Sequence, residues 1–353
     1  MRILMAEDDE ALARFVRQGL EGEHYSVDVF PDGEQARAAA TDFEYDVVIL
    51  DLNLPKLDGV SVLRHLRSKK PSVPVLVLTQ RTRVEDRVQC LDTGADDYVP
   101  KQLSAASLDI LHIRSDLVVK IRAAAHSRKS PDAAAAAVST RKPPQSSQTE
   151  SRSARSLAVP AIVALGTSTG GPKALQEILP LFPRDLSVPI LIVQHMPAGF
   201  TAPFAQRLNS LCSIPVREAT HREPIQPGVA YIAPAGTHLS VKRLSDSRAI
   251  LCLDTQPDNA LHIPSVNVLM NSVAESFKSL ALGVIMTGMG SDGAEGMNAI
   301  HRHGGFTIGQ DETTCTVYGM PRVCAEMGIL SRVVPLSQIP AQILLATRYR
   351  KRA

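Results

Sequence analysis

The sequence predicts an α/β protein made of two doubly wound parallel-sheet domains that are joined by a flexible linker. In both halves of the chain, short β-branched apolar runs alternate with segments whose apolar residues recur three or four positions apart, which is the pattern of repeated βα units. The chain has 353 residues, 44% of them hydrophobic, so two separate cores can form. We therefore expect a first domain over residues 1–125, a linker over 126–156 and a second domain over 157–353.

The order of strand-like runs supports this division. In the first domain the predicted strands are residues 3–6, 27–30, 47–50, 75–79 and 98–99, and the last predicted helix is 107–124. The segment 126–156 holds Val138 as its one large apolar side chain, so it cannot bury enough surface to offset its chain entropy. The alternation then resumes, with predicted strands at residues 161–165, 190–194, 229–233, 281–286 and 306–308.

Composition and charge exclude several classes of protein. The formal net charge is +2 with both signs interspersed, so we expect no nucleic-acid partner. The five cysteines show no CxxC spacing, which argues against a disulfide framework or a zinc site. No apolar run approaches the roughly 20 residues of a membrane span, and acidic residues interrupt the N-terminal run at Glu7. We expect a cytoplasmic protein without direct membrane insertion.

Acidic and basic side chains follow the predicted strands of the first domain. Glu7 and Asp8 close the first strand, Asp51 closes the third, Thr79 ends the fourth and Lys101 follows the fifth. Carboxyl ends of parallel strands meet at one sheet edge, so these side chains should converge. Clustered carboxylates repel one another unless a hard cation such as Mg²⁺ neutralises them. The pattern predicts a site where Asp51 accepts a phosphoryl group; the alternative is a set of ordinary polar strand caps.

These residues resemble the motifs of a response-regulator receiver domain. The similarity lies in Glu7-Asp8-Asp9, in residues 51–59, in Leu78-Thr79 and in Val99-Pro100-Lys101. The resemblance implies a flavodoxin-like sheet, Asp51 as phosphoacceptor, a histidine kinase as phosphodonor, and Thr79 with Lys101 as switch residues. It also implies that Mg²⁺ is held by Glu7, Asp8, Asp51 and the main-chain carbonyl of Asn53. Gln102 stands where the family usually has proline.

A serine, a histidine and an aspartate follow three apolar runs of the second domain. Ser168 lies in Gly166-Thr167-Ser168-Thr169-Gly170, His195 in the run QHMP, and Asp292 in the run TGMGSDG. A serine becomes a strong nucleophile when a base takes its proton, and a carboxylate orients that base. The sequence predicts Ser168 as nucleophile, His195 as general base and Asp292 as orienting residue. Their order along the chain differs from that of α/β-hydrolases.

The glycines of the third motif allow a second interpretation. Residues 288–293 also match GxGxxG after a strand, with Asp311 about 20 residues further on, as a dinucleotide site requires. That fingerprint normally opens the first βα unit of its domain, whereas here it lies deep in the second half. We favour glycines that let backbone N–H groups approach an oxyanion. The expected donors are the N–H groups of Met289 and Thr169.

Residues 157–350 resemble the catalytic domain of the chemotaxis protein-glutamate methylesterase/protein-glutamine deamidase family. The similarity rests on residues 166–172, 194–201, 227–234, 287–293, 310–312 and 318–322. It implies a Rossmann-like three-layer α/β domain that needs no cofactor, with Ser168, His195 and Asp292 as catalytic residues. The implied reaction is the phosphorylation-activated demethylation of glutamyl methyl esters, and deamidation of glutamines, on chemoreceptors.

The sequence departs from that family pattern at three positions. Ile263 and Asn267 stand where the family usually has arginine and aspartate, and Ala235 stands where glycine is common. The missing arginine and aspartate put substrate recognition in question and leave the triad intact. Three other functions remain open: the same chemistry on a methylated protein outside chemotaxis, a DNA-binding response regulator, and a scaffold that does not use the triad.

Overall fold

The fold is described from a computed structural model. It describes residues 1–71, 73–79, 90, 93–101, 121, 159–196, 199–245, 248–258 and 260–349. The predicted linker, 126–156, and all of the predicted helix 107–124 except Ile121 lie outside these residues. The boundaries between the predicted domains therefore stay predictions.

The first domain contains a five-stranded parallel sheet with the order β2-β1-β3-β4-β5. Its strands are β1 (Arg2–Ala6), β2 (Ser26–Phe30), β3 (Val47–Leu50), β4 (Val75–Thr79) and β5 (Asp97–Pro100). The described helices are α1 (Glu10–Glu21), α2 (Gly33–Asp42) and α3 (Gly59–Lys69). All five predicted strands are confirmed within a residue or two.

Local sequence signals explain where these helices begin. Asp9 accepts hydrogen bonds from the N–H groups of Ala11 and Leu12, and Asp32 and Asp58 cap α2 and α3 in the same way. A side-chain oxygen at the N-cap satisfies N–H groups that lack a partner within the helix. Each of these aspartates follows a strand, so the caps turn the chain from sheet to helix.

The second domain contains a seven-stranded sheet with the order β14-β13-β12-β6-β7-β9-β8, in which every pair is parallel. Its strands are β6 (Ile162–Thr167), β7 (Ile190–Gln194), β8 (Val216–Glu218), β9 (Ala230–Ile232), β12 (Ala281–Ile285), β13 (Phe306–Gln310) and β14 (Arg332–Val334). The described helices are α4 (Gly171–Ile178), α5 (Thr201–Leu211), α6 (Val266–Phe277), α7 (Ala294–Arg302), α8 (Met320–Glu326) and α9 (Ile339–Ala346). The α/β architecture in two domains is confirmed.

The sequence pattern missed four strands. Two are the three-residue edge strands β8 and β14, which are too short to show a period. The other two form an antiparallel hairpin, β10 (His238–Ser245) with β11 (Arg248–Asp254). Val241 and Leu251 are buried there while other positions stay partly exposed, so the hairpin lacks the continuous apolar run of the central strands.

The two domains pack against each other. One cluster of buried apolar side chains contains residues from both sheets, including Leu50 of β3 and Ile192 of β7. Lys173 Nζ of α4 lies 3.7 Å from Asp96 Oδ1, which directly precedes β5. The first domain therefore lies beside α4, the helix that follows Ser168. No helix among the described residues combines the length and the apolar character needed to span a bilayer.

Candidate active site and phosphorylation site

Ser168 lies directly after β6, in the turn that leads into α4. Its N–H donates to the Thr287 carbonyl at 3.0 Å, and its own carbonyl accepts the N–H of Gly171 at 2.8 Å. These main-chain bonds fix the turn at both ends. The side chain is partly exposed, and Ser168 Oγ makes no hydrogen bond to another described residue. The hydroxyl is therefore held at the strand end and left free to react.

The loop after β12 approaches the serine closely. A Cβ on Gly288 would lie 2.9 Å from Ser168 Cβ and 2.3 Å from Met320 Sδ, so only glycine fits there. The Gly288 carbonyl accepts N–H groups from Gly319 and Met320, which fixes the loop. Among the described residues, the N–H groups of Met289 and Thr169 donate to no protein acceptor. Both predicted oxyanion donors are free, and their role stays a prediction.

His195 and Asp292 are in direct contact. His195 Nε2 lies 2.8 Å from Asp292 Oδ2, and both side chains are largely buried. The His195 N–H donates to the Thr167 carbonyl at 3.1 Å, which ties the histidine to the end of β6. Nδ1 of His195 is buried and has no hydrogen-bond partner among the described residues. Because Nε2 is engaged by the carboxylate, Nδ1 is the nitrogen left to accept a proton.

Asp292 accepts hydrogen bonds on both of its oxygens. Ser265 Oγ donates to Oδ1 at 2.8 Å, and the N–H groups of Val266 and Asn267 donate to Oδ2 and Oδ1 at 2.7 and 3.0 Å. Burial by itself would raise the pKa of Asp292, but the bond from His195 and these backbone donors outweigh it and lower that pKa to about 2. Asp292 is therefore a fixed negative charge that orients the imidazole.

A second histidine covers the base. The ring of His262 stacks on that of His195, with centroids 4.1 Å apart and 24° between the planes. Burial, with a smaller effect of the neighbouring His195, lowers the pKa of His262 to about 4. His262 is thus neutral near pH 7 and shields one face of the His195 ring from water. Sequence reasoning did not single it out; its position just before the departure at Ile263 was the available signal.

Gln194 is another contributor that the sequence pattern did not reveal. Its side-chain Nε2 donates to the carbonyls of Ser168 and His195, at 3.0 and 2.9 Å. One buried amide therefore links the turn that holds Ser168 to the turn that holds His195. A Cβ on Gly171 would lie 2.0 Å from Gln194 Oε1, which explains the glycine at the start of α4.

The acidic residues of the first domain surround a buried lysine. Lys101 Nζ lies 2.6 Å from Glu7 Oε1 and 2.8 Å from Asp51 Oδ2, and all three side chains are nearly inaccessible. Burial would lower the pKa of Lys101, but its bonds to Asp51 and Glu7 raise it overall. The ammonium is therefore a permanent charge next to the oxygen expected to carry the phosphoryl group.

The carboxylates at this edge fit a divalent cation. Ligand oxygens of Glu7, Asp8 and Asp51 lie within 4.8 Å of one another, and Glu7 Oε2 is buried without a hydrogen-bond partner. Burial raises the pKa of Glu7 to about 7, against the lowering effect of Lys101. An oxygen-only cluster with an unsatisfied carboxylate is suited to Mg²⁺.

The predicted roles of two further residues of this site, Asn53 and Thr79, are not tested by the structure. The N–H of Asn53 donates to Asp51 Oδ1 at 3.2 Å, which orients the Asp51 carboxylate. The role of the Asn53 carbonyl as a metal ligand stays a prediction. Thr79 ends β4 as predicted, but its side chain lies outside the described part of the chain. The switch role of Thr79 therefore stays a prediction too.

We expect Glu7→Gln to lower the Mg²⁺ affinity of the intact chain by about tenfold or more, because a hard cation loses a charged oxygen ligand. Isothermal titration with MgCl₂ measures the effect. Glu10→Gln is the control, since Glu10 lies exposed in the first turn of α1 and should leave the affinity within twofold. Equal affinities in Glu7→Gln and the control would contradict the site.

The nucleotide-binding interpretation does not fit the geometry. Asp311, its required acidic partner, accepts the Thr314 N–H and hydroxyl at 3.0 and 2.6 Å and so caps the short helix Glu312–Thr314. The Asp311 carboxylate is therefore occupied by a helix cap three residues away and is not available to a ribose hydroxyl. Gly288, the first glycine of the motif, lies against Ser168 instead.

A serine, a histidine and an aspartate lie at the carboxyl edge of the second domain's sheet, and an acidic cluster with a lysine lies at the carboxyl edge of the first domain's sheet. This is the arrangement expected of a hydrolase coupled to a receiver. Family models agree: CheB methylesterase matches residues 163–343, and the response regulator receiver domain matches residues 3–111. The chain therefore belongs to the CheB methylesterase family and carries a receiver domain.

Individual relatives extend this similarity over most of the chain. The protein-glutamate methylesterase/protein-glutamine glutaminase 2 of Nitratidesulfovibrio vulgaris is 41% identical over 339 residues, 89% of each chain. The corresponding protein of Lawsonia intracellularis is 38% identical over 358 residues, 98% of this chain and 99% of its own. The crystal structure of the Thermotoga maritima CheB methylesterase catalytic domain has a TM-score of 0.51 and 38% identity, covering 53% of this chain and 99% of that one.

Family membership removes two of the alternatives. The output domain is a methylesterase domain with a seven-stranded parallel sheet, so the chain is not a DNA-binding response regulator. The chain is an enzyme of the methylesterase class and not a bare scaffold.

Proposed function

We propose that this protein removes methyl groups from γ-glutamyl methyl esters of chemoreceptors, and deamidates their glutamines, with Ser168, His195 and Asp292 as catalytic residues. The observation that carries the proposal is the imidazole of His195. Nε2 is bound to Asp292 at 2.8 Å, while Nδ1 is buried and unpartnered. A base oriented on one side and vacant on the other is what a serine nucleophile next to it requires.

The reaction begins at the ester carbonyl. As Ser168 Oγ attacks, its proton moves to His195 Nδ1, and the imidazolium is stabilised by the negative charge of Asp292. The carbonyl oxygen becomes an oxyanion, for which the free N–H groups of Met289 and Thr169 are donors. Methanol, or ammonia from a glutamine, leaves with the proton from His195, and an acyl-enzyme on Ser168 remains.

Water then releases the product. His195 takes a proton from the water as it attacks the acyl carbon, and returns that proton to Ser168 Oγ as the glutamate carboxylate departs. Neutral His262 stays stacked on His195 throughout, which limits the access of further water to the base. No other titratable side chain is needed for either half of the reaction.

Phosphorylation of Asp51 by a chemotaxis histidine kinase would control this activity. Asp51 Oδ2 is held by Lys101 and Oδ1 by the N–H of Asn53, so the carboxylate is oriented for attack on phosphorus. Mg²⁺ bound by Glu7, Asp8 and Asp51 would neutralise the phosphoryl oxygens. All five cysteines are free thiols, which supports the reducing cytoplasm as the place of action.

The position of the receiver domain beside α4 suggests how phosphorylation controls the esterase activity. Asp96 directly precedes β5 and contacts Lys173, which is five residues beyond Ser168 and in the first turn of α4. A receiver in this place restricts the approach of a large substrate to the strand ends. We propose that phosphorylation changes this docking surface and uncovers the serine.

The reaction is tested by measuring methanol release from a panel of methylated chemoreceptor domains with the intact chain. Release from at least one receptor, together with new glutamate at the modified positions, is the expected result. Release from none of them, with hydrolysis of another methylated protein, would support the alternative substrate outside chemotaxis.

We expect a fragment comprising residues 157–353 to hydrolyse receptor methyl esters about tenfold faster than the unphosphorylated intact chain, a coupling typical of regulated domains. Asp51→Ala should keep the intact chain at the low rate whatever phosphodonor is present. The catalytic domain of the Thermotoga maritima relative was crystallised by itself, so the fragment is a reasonable preparation. A fragment slower than the unphosphorylated chain would mean that the receiver contributes to substrate binding.

A further inference from the structure

The N-termini of α6 and α7 lie next to the triad, and each is capped by a residue from the segment that contains the other helix. Ser265, the N-cap of α6, makes no capping bond with its side chain. Instead Asp292 accepts the N–H groups of Val266 and Asn267 at the start of α6. In return Asn267 Oδ1 accepts the N–H groups of Gly293 and Gly296 at the start of α7, at 2.9 and 3.0 Å. The catalytic aspartate and Asn267 thus hold each other's helix.

Asn267 caps α7 with a neutral side chain, and this has an electrostatic consequence for Asp292. An aspartate has the same shape and could accept both N–H bonds, and a helix N-terminus favours a negative charge. It would, however, place a second carboxylate in the residue whose N–H is bonded to Asp292. With Asn267 in place, Asp292 supplies the one negative charge in this pair of caps.

Among the described residues, few titratable side chains contact His195 or Asp292. Within the described part of the chain, hydrogen bonds and ring contacts join His195 and Asp292 to one further titratable side chain, His262. His262 is neutral above about pH 5, because burial lowers its pKa to about 4. A charge at position 267 would therefore lie in a residue bonded directly to the carboxylate that binds His195.

We propose that Asn267 is a positioning residue that caps α7 without adding a negative charge beside Asp292, and thereby keeps the general base unprotonated in more acidic medium. The inference rests on the proposed roles of Ser168, His195 and Asp292. A nearby anion favours the imidazolium over the neutral imidazole. Asparagine at this position therefore extends the working range of the enzyme towards low pH.

The test is the pH dependence of Ser168 labelling by a fluorophosphonate, from pH 5 to 9, in the intact chain. In the wild type we expect the labelling rate to rise with pH along an acidic limb and then to reach a plateau. In Asn267→Asp the midpoint of that acidic limb should shift to a pH about one unit higher, while the plateau rate stays unchanged. Labelling at low pH should therefore be up to about tenfold slower than in the wild type. Asn271→Asp makes the same change one turn further along α6 and should leave the limb within about 0.2 units of the wild type, since the charge is more distant and better screened. Asn267→Ala removes the acceptor without adding charge, so it should lower the plateau and leave the limb in place.

Each other outcome has a distinct meaning. The inference is overturned if the acidic limb of the labelling profile in Asn267→Asp coincides with that of the wild type. It is also overturned if Asn267→Ala shifts the limb as much as Asn267→Asp does, because charge would then not be the cause. Failure of Asn267→Asp to fold also contradicts it, since aspartate should accept both N–H bonds. A wild-type chain that is not labelled at Ser168 would instead contradict the proposed function.

Discussion

Ser168→Ala is expected to reduce methanol release from methylated chemoreceptors by about 10⁴-fold or more, because residues of a triad act as a unit and the covalent route disappears with the hydroxyl. Ser168 Oγ makes no hydrogen bond to a described residue, so removing it should leave the melting temperature nearly unchanged. Phosphorylation of Asp51 should also persist, since that site lies in the other domain.

The measurement compares methanol release, the melting temperature and incorporation of label from a small phosphodonor. Ser210→Ala is the matched control, because the Ser210 hydroxyl lies on α5 and bonds to the Arg207 carbonyl at 2.7 Å. Its rate should stay within twofold of the wild type. Near-normal release by Ser168→Ala would refute covalent catalysis by this residue.

Asp292→Asn is expected to lower the hydrolysis rate by about 10³-fold and also to destabilise the catalytic domain. Each contact to the carboxylate comes from a donor: the Ser265 hydroxyl, two backbone N–H groups and His195. An amide turns one acceptor oxygen into a donor, so it leaves buried N–H groups unpaired in either orientation and favours the wrong imidazole tautomer. The loss of stability should be about 2 kcal/mol.

The contribution of Asp292 to the free energy of unfolding depends on pH in a defined way. Because the pKa of Asp292 in the folded protein is lowered to about 2 from 3.8, the ionised carboxylate stabilises the native state above about pH 4. That contribution is lost as pH falls from about 4 towards 2. Asp292→Asn should flatten this part of the stability curve, as measured by urea unfolding at a series of pH values.

Asp311→Asn separates the two effects of the Asp292 substitution. Asp311 also accepts three donors, from Thr313 and Thr314, but it contacts no histidine. Its amide variant should lose stability and keep the rate within a few-fold. If both variants lost the same fraction of activity, the damage would be structural and Asp292 would have no special role.

Much of the site could be predicted from the sequence for one reason. Parallel strands bring their carboxyl ends to the same edge, so Ser168, His195 and the loop of Asp292 had to meet once β6, β7 and β12 were recognised. The same rule placed Glu7, Asp51 and Lys101 together. These residues follow continuous apolar runs, and such runs are visible in a single chain because buried parallel strands are apolar on both faces.

Tertiary structure decided how these groups are held. The segment His262–Asn267 follows a hairpin without a strong sequence period, yet it supplies the stacked His262, the Ser265 hydroxyl and the helix start that binds Asp292. Which nitrogen of His195 faces the carboxylate, and which helix each carboxamide or carboxylate caps, depends on contacts between residues about 25 to 100 positions apart. Local sequence carries no record of such contacts, because they arise only when separate βα units pack side by side.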